Sequence, residues 1–375
     1  MKLLKNILLS LGSNQGDPFE NLQNAIDAIF EEVGAIKQIS PVYKTKSWGF
    51  DGADFLNCAV SVNTHLDCQK LLATCLSIEK KLGRARSNKK GYSDRPIDID
   101  ILFFDAEVIN ELNLTVPHPH LQDRNFVLHP LHDIASAVEH PILKKTISTL
   151  LAESLDEGIP EKIQRWLKNP QQELNLSRYN YIAIEGNIGA GKTTLATMIS
   201  EDFNAKLILE RFKDNPFLPK FYEDQSRYAF PLEMSFLADR YQQLLDDIGQ
   251  YDLFKDFMIA DYDSQKSLIF AKVTLSEDEY SLYKKLHSIM YKEIAKPDLY
   301  IYLYQNTERL LENIKKRGRA YEKDISENYL VDINQGYLNM IKNRRQENIK
   351  ILDISEMDFV DNRVDYSNLL KQIIT

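Results

Sequence analysis

Residues 186–194 read GNIGAGKTT, directly after the apolar run YIAIE and directly before LATMISEDF, whose composition suits a helix. From Gly186 to Thr193 the stretch fits G-x-x-x-x-G-K-[ST] in the strand, loop, helix setting that gives this pattern its meaning. The chain must here leave a strand, turn its amides inward around an anion, and enter a helix whose N-terminus adds positive potential. Gly186, Asn187, Ile188, Gly189, Ala190, Gly191, Lys192, Thr193 and Thr194 are therefore expected to wrap the phosphates of a nucleotide. Within that set Lys192 would neutralise the β and γ oxygens, and the Thr193 hydroxyl would ligate magnesium. Two further apolar segments, DLYIYLYQ and NIKILDIS, alternate with helical stretches, which predicts an α/β unit with a parallel sheet.

A chain of 375 residues exceeds what one core usually organises. The first 150 residues carry their own alternation of strand (NILLSLGS, FLNCAVSVNT, RPIDIDILFF) and helix (ENLQNAIDAIFEEV, CQKLLATCLSIEKKLG). Between the halves lies IPEKIQRWLKNPQQELNLSR, expected as a short amphipathic helix followed by polar residues. The reading is thus a first domain at 1–165, a linker at 166–177 and a second domain at 178–375. A net charge of -9 gives no electrostatic footprint for nucleic acid or an anionic membrane. No apolar run approaches the roughly 20 residues of a spanning helix, so a soluble, cytoplasmic protein is expected. Cys58, Cys68 and Cys75 show no CxxC spacing and read as reduced core thiols.

In the second half, LILERFKDNPF delivers Glu210 at the carboxyl end of a strand, where ligands bind in open α/β sheets. FPLEMSFLADRYQQ places Glu233 and Arg240 seven apart, on one helix face. ENIKKRGRAYEKD sets Arg317 and Arg319 around a glycine, a cationic lid suited to a moving phosphoryl group. With GNIGAGKTT, these residues resemble the deoxynucleoside kinase family over roughly 178–375. The resemblance implies that Glu210 takes the proton of a nucleoside 5′-hydroxyl and that Arg317 and Arg319 clamp the phosphate. It further implies that Glu322 holds the sugar, Arg240 sits near the 5′ end, and Asp261 takes an acidic, metal-side role. Glu233 falls where many members carry a base-pairing glutamine, and an ionised carboxylate there would only accept hydrogen bonds. The E-R-S triplet usual in the family is absent from MIADYDSQKSLIFAK, where Lys266 is a candidate to replace the arginine. A regulatory nucleotide-binding or dimerising module, and a kinase of a nucleotide or other small alcohol, are the alternative readings of this half.

In the first half, RPIDIDILFF puts two aspartates, poor strand formers, two apart in a strand. Alternation projects Asp98 and Asp100 from one face about 7 Å apart while Ile97, Ile99 and Ile101 enter the core. Such a pair needs compensating positive charge, and magnesium with nucleotide phosphates suits it. Just upstream, GRARSNKKGYSDR gathers Arg84, Arg86, Lys89, Lys90 and Arg95. Downstream, VPHPHLQDRNFVLHPL supplies His118, Arg124 and Phe126. Together with LGSN at 11–14, PVYKT at 41–45, FLNCAV at 55–60, GRAR at 83–86 and VPHP at 116–119, these look like the 6-hydroxymethyl-7,8-dihydropterin pyrophosphokinase family over about 5–160. The resemblance implies a ferredoxin-like α+β sandwich that moves the β,γ-pyrophosphoryl unit of ATP to a pterin hydroxymethyl. Asp98 and Asp100 would hold two magnesium ions, and Arg84, Arg86, Arg95, His118 and Arg124 the triphosphate. Phe55 and Phe126 would sandwich the pterin, with Asn57 and the chain near Thr45 and Trp48 reading its edge. Glu79 matches a further site-facing acid.

The combined expectation is a bifunctional enzyme with ATP as co-substrate of both halves, two magnesium ions in the first site and one in the second. Its partners would be small molecules, a dihydropterin and a deoxynucleoside with deoxyadenosine preferred. A homodimer through the second domain is the family-based expectation.

Overall fold

The computed structural model describes residues 3–48, 50–84, 94–211, 215–249, 252–322, 325–344 and 348–375. The chain divides into two compact units, Met1–Asn175 and Leu176–Thr375. The first unit runs β1 (Lys5–Ser13), α1 (Pro18–Glu32), β2 (Ala35–Ile39), β3 (Tyr43–Thr45), β4 (Phe55–Thr64) and α2 (Cys68–Lys81). It continues with β5 (Asp98–Phe104), β6 (Ile109–Glu111), β7 (Leu114–Val116), α3 (Asn125–Ala135), α4 (Ile147–Ala152), β8 (Glu161–Lys162) and α5 (Pro170–Glu173).

Local sequence explains these elements. Asp17 caps α1 by accepting from the amides of Phe19 and Glu20, with Pro18 at the first helical position. The helix then buries Leu22, Ala25, Ile26, Ile29 and Phe30 at helical spacing. β1 lies between β5 and β4, antiparallel to both, and β2 and β3 share the far edge of β4. Leu8, Ala59 and Leu102 pack under Leu128, Leu131 and Leu150 of α3 and α4. Alternation therefore sends Ser10, Gly12, Asp98 and Asp100 to the α3 side of the sheet, and Ile99 and Ile101 to the other.

One expected element differs. The stretch expected as an amphipathic helix carries β8, paired antiparallel to β3, and the helix comes later, as α5 with Asn169 as its cap. The open edge of β3 supplies the hydrogen bonds that draw 161–162 into the sheet. Residues 168–169 are tied to this same unit: the Lys168 amide donates to Gln23 Oε1 at 2.8 Å, and Asn169 Nδ2 donates to the Ile36 carbonyl at 3.0 Å. The strand expected from residue 95 begins at Asp98, after Pro96, which has no amide to give a ladder.

The second unit comprises β9 (Tyr181–Gly186), α6 (Lys192–Asp202), β10 (Lys206–Ile208), α7 (Leu218–Glu223), α8 (Gln225–Gly249), β11 (Met258–Ala260) and α9 (Gln265–Thr274). α10 (Glu277–Met290), β12 (Leu299–Tyr304), α11 (Thr307–Arg317), α12 (Glu327–Lys342), β13 (Ile349–Asp353) and α13 (Arg363–Ile374) complete it. Its sheet is parallel throughout, in the order β10-β11-β9-β12-β13, so the glycine-rich loop leaves the central strand. Among the described residues, no helix is long and apolar enough to cross a membrane. Cys58, Cys68 and Cys75 are buried and unpaired.

In the loop, Gly189 has φ +85° and a Cβ there would stand 3.0 Å from the Leu310 carbonyl oxygen. A Gly189→Ala substitution should therefore cost about 1–3 kcal/mol through backbone strain and crowding. Urea denaturation should show a lowered midpoint with unchanged slope; an unmoved midpoint would mean that the loop relaxes without cost.

Candidate active sites

In the first unit the register of the sheet builds a floor. Gly12 of β1 stands opposite Asn57 on one side and Asp98 on the other, and Ser10 stands opposite Asp100. With no side chain at Gly12, a cavity opens there, lined by Thr45, Trp48, Phe55, Asn57, Arg95, Asp98, Asp100, Arg124 and Phe126 among others. Nine of the residues expected from sequence thus meet in one place. A Cβ at Gly12 would come within 2.9 Å of Asn57 Oδ1, which accounts for the glycine of LGSN. Asn57 Nδ2 donates to Thr45 Oγ1 at 2.9 Å, fixing the amide that faces the cavity.

Charge is concentrated at the end of β5. Arg84 bridges Glu79 and Asp98 through one guanidinium nitrogen, and Arg95 Nη1 donates to Asp98 Oδ2 at 2.5 Å. Glu79 Oε1 also takes the Ile99 amide at 2.9 Å, which locks α2 to β5. Burial, with the Asp98 charge beside it, raises Asp100 to about 7. Arg124 lies over two rings, 4.8 Å from the Trp48 centroid and 5.7 Å from that of Phe126. His118 does not line the cavity; burial and the Arg124 charge lower it to about 4, so its imidazole is neutral near pH 7. Arg86, Lys89 and Lys90 lie outside the described residues.

The donor set fits a hard divalent cation. Asp98 and Asp100 offer carboxylate oxygens, and added positive charge would favour the ionised form of the buried Asp100. Among the described residues no group of three or more His, Cys, Asp or Glu could hold a metal by itself. A cation here would complete its shell with phosphate oxygens and water, as magnesium does.

In the second unit two clefts meet. One is lined by the loop residues Gly189 to Thr194, by Arg309, Asn313 and Lys316, and by Met357 to Val360. The other is lined by Leu218, Phe221, Tyr222, Glu233, Phe236, Arg240, Lys266, Phe270 and Glu322 among others. Lys192, Thr193, Glu210, Asp261, Arg317 and Arg319 line both. A donor in the first cleft and an acceptor in the second would therefore touch at these six side chains.

The junction is tightly wired. Glu210 takes Arg240 Nε at 2.8 Å and Nη2 at 2.6 Å on Oε1, and Lys266 Nζ at 2.6 Å on Oε2. Burial alone would raise Glu210, but Lys266 and Arg240 hold it well below the usual carboxylate range. Lys266, the candidate to stand in for the absent arginine, thus pairs with Glu210. Asp261 accepts the Glu210 amide at 2.7 Å on Oδ1 and the Thr193 hydroxyl on Oδ2, so the Thr193 and Asp261 oxygens face one point and also suit magnesium. Lys192 Nζ donates to the carbonyls of Gly186 and Asn187, each at 2.9 Å; burial and the Lys266 charge lower it to about 8. Arg317 and Arg319 both pair with Glu322, Arg317 Nε at 3.0 Å and Arg319 Nη1 at 3.2 Å.

Some residues behave otherwise than their motif suggests. Asn187 is fully buried and its side chain turns from the clefts, donating to the Leu330 carbonyl at 2.7 Å and to Asn334 Oδ1 at 2.9 Å. The sequence reading passed over Arg309, Phe236, Phe270 and the 357–360 wall. Only Phe236 carried a local signal, lying between Glu233 and Arg240 at helical spacing. Glu185 was passed over too: fully buried, it accepts the Asp263 amide at 2.7 Å and the Tyr337 hydroxyl at 2.8 Å, and burial raises it to about 7.

Comparison with known proteins agrees with this division. Residues 182–375 match the family model described as deoxynucleoside kinase, and residues 8–136 match that of 7,8-dihydro-6-hydroxymethylpterin-pyrophosphokinase. The chain is 39% identical over 197 residues to the deoxyguanosine kinase of Bacillus subtilis (strain 168), covering 52% of this chain and 95% of that protein. It is 34% identical over 186 residues to the deoxyadenosine kinase of Dictyostelium discoideum, covering 48% of this chain and 74% of that protein. It is 40% identical over 152 residues to the 2-amino-4-hydroxy-6-hydroxymethyldihydropteridine pyrophosphokinase of Aquifex aeolicus (strain VF5), covering 40% of this chain and 93% of that protein. The chain is a fusion that belongs to two families, the hydroxymethylpterin pyrophosphokinases through its first half and the deoxynucleoside kinases through its second.

Proposed function

We propose that residues 1–165 transfer the β,γ-pyrophosphoryl unit of ATP to 6-hydroxymethyl-7,8-dihydropterin, and that residues 178–375 transfer the γ-phosphoryl group of ATP to the 5′-hydroxyl of a deoxynucleoside. The observation that carries the second assignment is the junction of two clefts at Lys192, Thr193, Glu210, Asp261, Arg317 and Arg319. For the first it is the single cavity shared by Phe55, Asn57, Phe126 and the Asp98–Asp100 pair. The antiparallel sheet with helices supports a ferredoxin-like sandwich for the first half.

In the first site a flat pterin would lie between Phe55 and Phe126, with Arg124 moving off Phe126 to meet phosphate. Asn57, oriented by Thr45, reads the ring edge. The hydroxymethyl oxygen then bonds to the β-phosphorus as the bond between that phosphorus and the α,β-bridging oxygen breaks, releasing AMP. Arg84 and Arg95, which hold Asp98, would turn toward the triphosphate, and Arg86 and the neutral His118 would complete the grip. Two magnesium ions on Asp98 and Asp100 would supply charge neutralisation there, and one on Thr193 and Asp261 in the second site.

In the second site Ile188, Gly189, Ala190, Gly191 and Thr194 present backbone to the phosphates, and Lys192 exchanges its two carbonyl partners for phosphate oxygens. The 5′-oxygen bonds to the γ-phosphorus, ADP leaves, and the proton passes to Glu210. Lys266 and Arg240 keep Glu210 ionised and weaken it as a base, so its contribution lies in orienting the hydroxyl and taking the proton late. Glu322 would hold the sugar, and Arg317 and Arg319 the moving phosphoryl group. The activities in the names of the two kinase relatives, a deoxyguanosine kinase and a deoxyadenosine kinase, favour a purine; deoxyadenosine is the preferred substrate on the sequence resemblance alone. A cytoplasmic homodimer joined through the second half completes the reading.

Assays of the full chain separate the two halves. Asp98→Asn should abolish pterin pyrophosphorylation while nucleoside phosphorylation stays intact; equal loss of both would refute independent sites. Glu210→Gln should lower nucleoside turnover by roughly 10²-fold or more with ATP still bound; wild-type turnover would remove Glu210 from the mechanism. Lys266→Met leaves a buried carboxylate with one cation fewer and should cost about 3–5 kcal/mol in urea denaturation. No change in stability would show that Arg240 alone suffices.

A further inference from the structure

Among the described residues lining the acceptor cleft, only Glu233 has a side-chain oxygen buried without a hydrogen-bond partner, its Oε2. The residue is 3% exposed. Its other oxygen is 3.3 Å from Thr274 Oγ1, whose single hydrogen also has the Phe270 carbonyl at 2.9 Å. Neighbouring cations are committed elsewhere. Arg240 gives Nε and Nη2 to Glu210 and Nη1 to Ser267 at 2.8 Å, and Lys266 gives its ammonium to Glu210. The other titratable groups facing Glu233 are Glu210, a negative charge, and the phenols of Tyr283 from α10 and Tyr329 from α12. Tyr283 donates to the Glu233 backbone carbonyl and leaves the carboxyl untouched. Burial, opposed by the Arg240 charge, raises the carboxyl to about 7.

We propose that Glu233 meets a purine base as a neutral carboxylic acid, donating its O–H to N7 and accepting a 6-amino hydrogen, and that its ionisation shifts preference from adenine to guanine. The inference rests on the kinase reading of this cleft. A neutral carboxyl offers one donor and one acceptor, the pattern that an amide presents to adenine N7 and N6. Guanine shows two acceptors on that edge, N7 and O6, and presents paired donors, N1–H and N2–H, on its other edge. An ionised carboxylate, acceptor only, matches that second pattern.

The full chain is assayed with deoxyadenosine and with deoxyguanosine from about pH 6 to about pH 8.5, and the ratio of the two kcat/KM values is followed. Titrations common to both reactions, such as those of Glu185 and Lys192, cancel in the ratio. The ratio of deoxyadenosine to deoxyguanosine should fall by roughly tenfold per pH unit above about 7, and Glu233→Gln should make it high and flat. A flat ratio in the wild-type chain, or the same slope in Glu233→Gln, overturns the inference while leaving the kinase reading intact. Absence of turnover with either nucleoside at every pH overturns the kinase reading and the inference with it.

Discussion

Buried carboxylates have to be compensated, and the two sites are organised around how this is done. In the first unit Asp98 is held between Arg84 and Arg95, while Asp100, deeper and with no such pair among the described residues, is pushed up to about 7. In the second, Glu210 is held between Arg240 and Lys266 and stays ionised. The contrast follows from partners more than from burial, since either carboxyl alone would rise on leaving water. Two carboxyls this close repel one another, and added positive charge would relieve that repulsion. A carboxylate proposed to take a proton from a hydroxyl must be charged until that proton arrives, and the two cations beside Glu210 meet that demand.

Much of this was legible because the chemistry is local in sequence. The glycine-rich loop, the Asp98–Asp100 alternation, and the Glu233–Arg240 spacing each fall within ten residues, and each contributes to the lining of a cavity. The adjacency of Phe55 and Phe126 could not be read from spacing, because it depends on α3 crossing the sheet beside β4; the resemblance supplied it. Arg309 and Phe359 were illegible for the same reason: nothing near them in sequence marks a nucleotide wall. Asn187 shows the converse. Its place in the motif implied the phosphate, yet its side chain is fixed by Asn334 and the Leu330 carbonyl of α12.

The misread segment at 159–167 is instructive about weak signals. Its apolar spacing suits a single helical turn, but a turn of helix gains little by itself. An unpaired edge at β3 offers backbone partners at once, and 161–162 take them. Tertiary demand decides where intrinsic preference is small.

The pairing of Arg317 and Arg319 with Glu322 carries a thermodynamic corollary. Any hydroxyl that hydrogen-bonds those carboxylate oxygens competes with Arg317 and Arg319 for them, so filling the acceptor cleft and liberating positive charge are one linked equilibrium. Reciprocity then requires that an anion drawing the arginines away tighten the hold of Glu322 on the hydroxyl by the same factor. Synergy between two reactants would follow from the rearrangement of three side chains, with no motion of a domain.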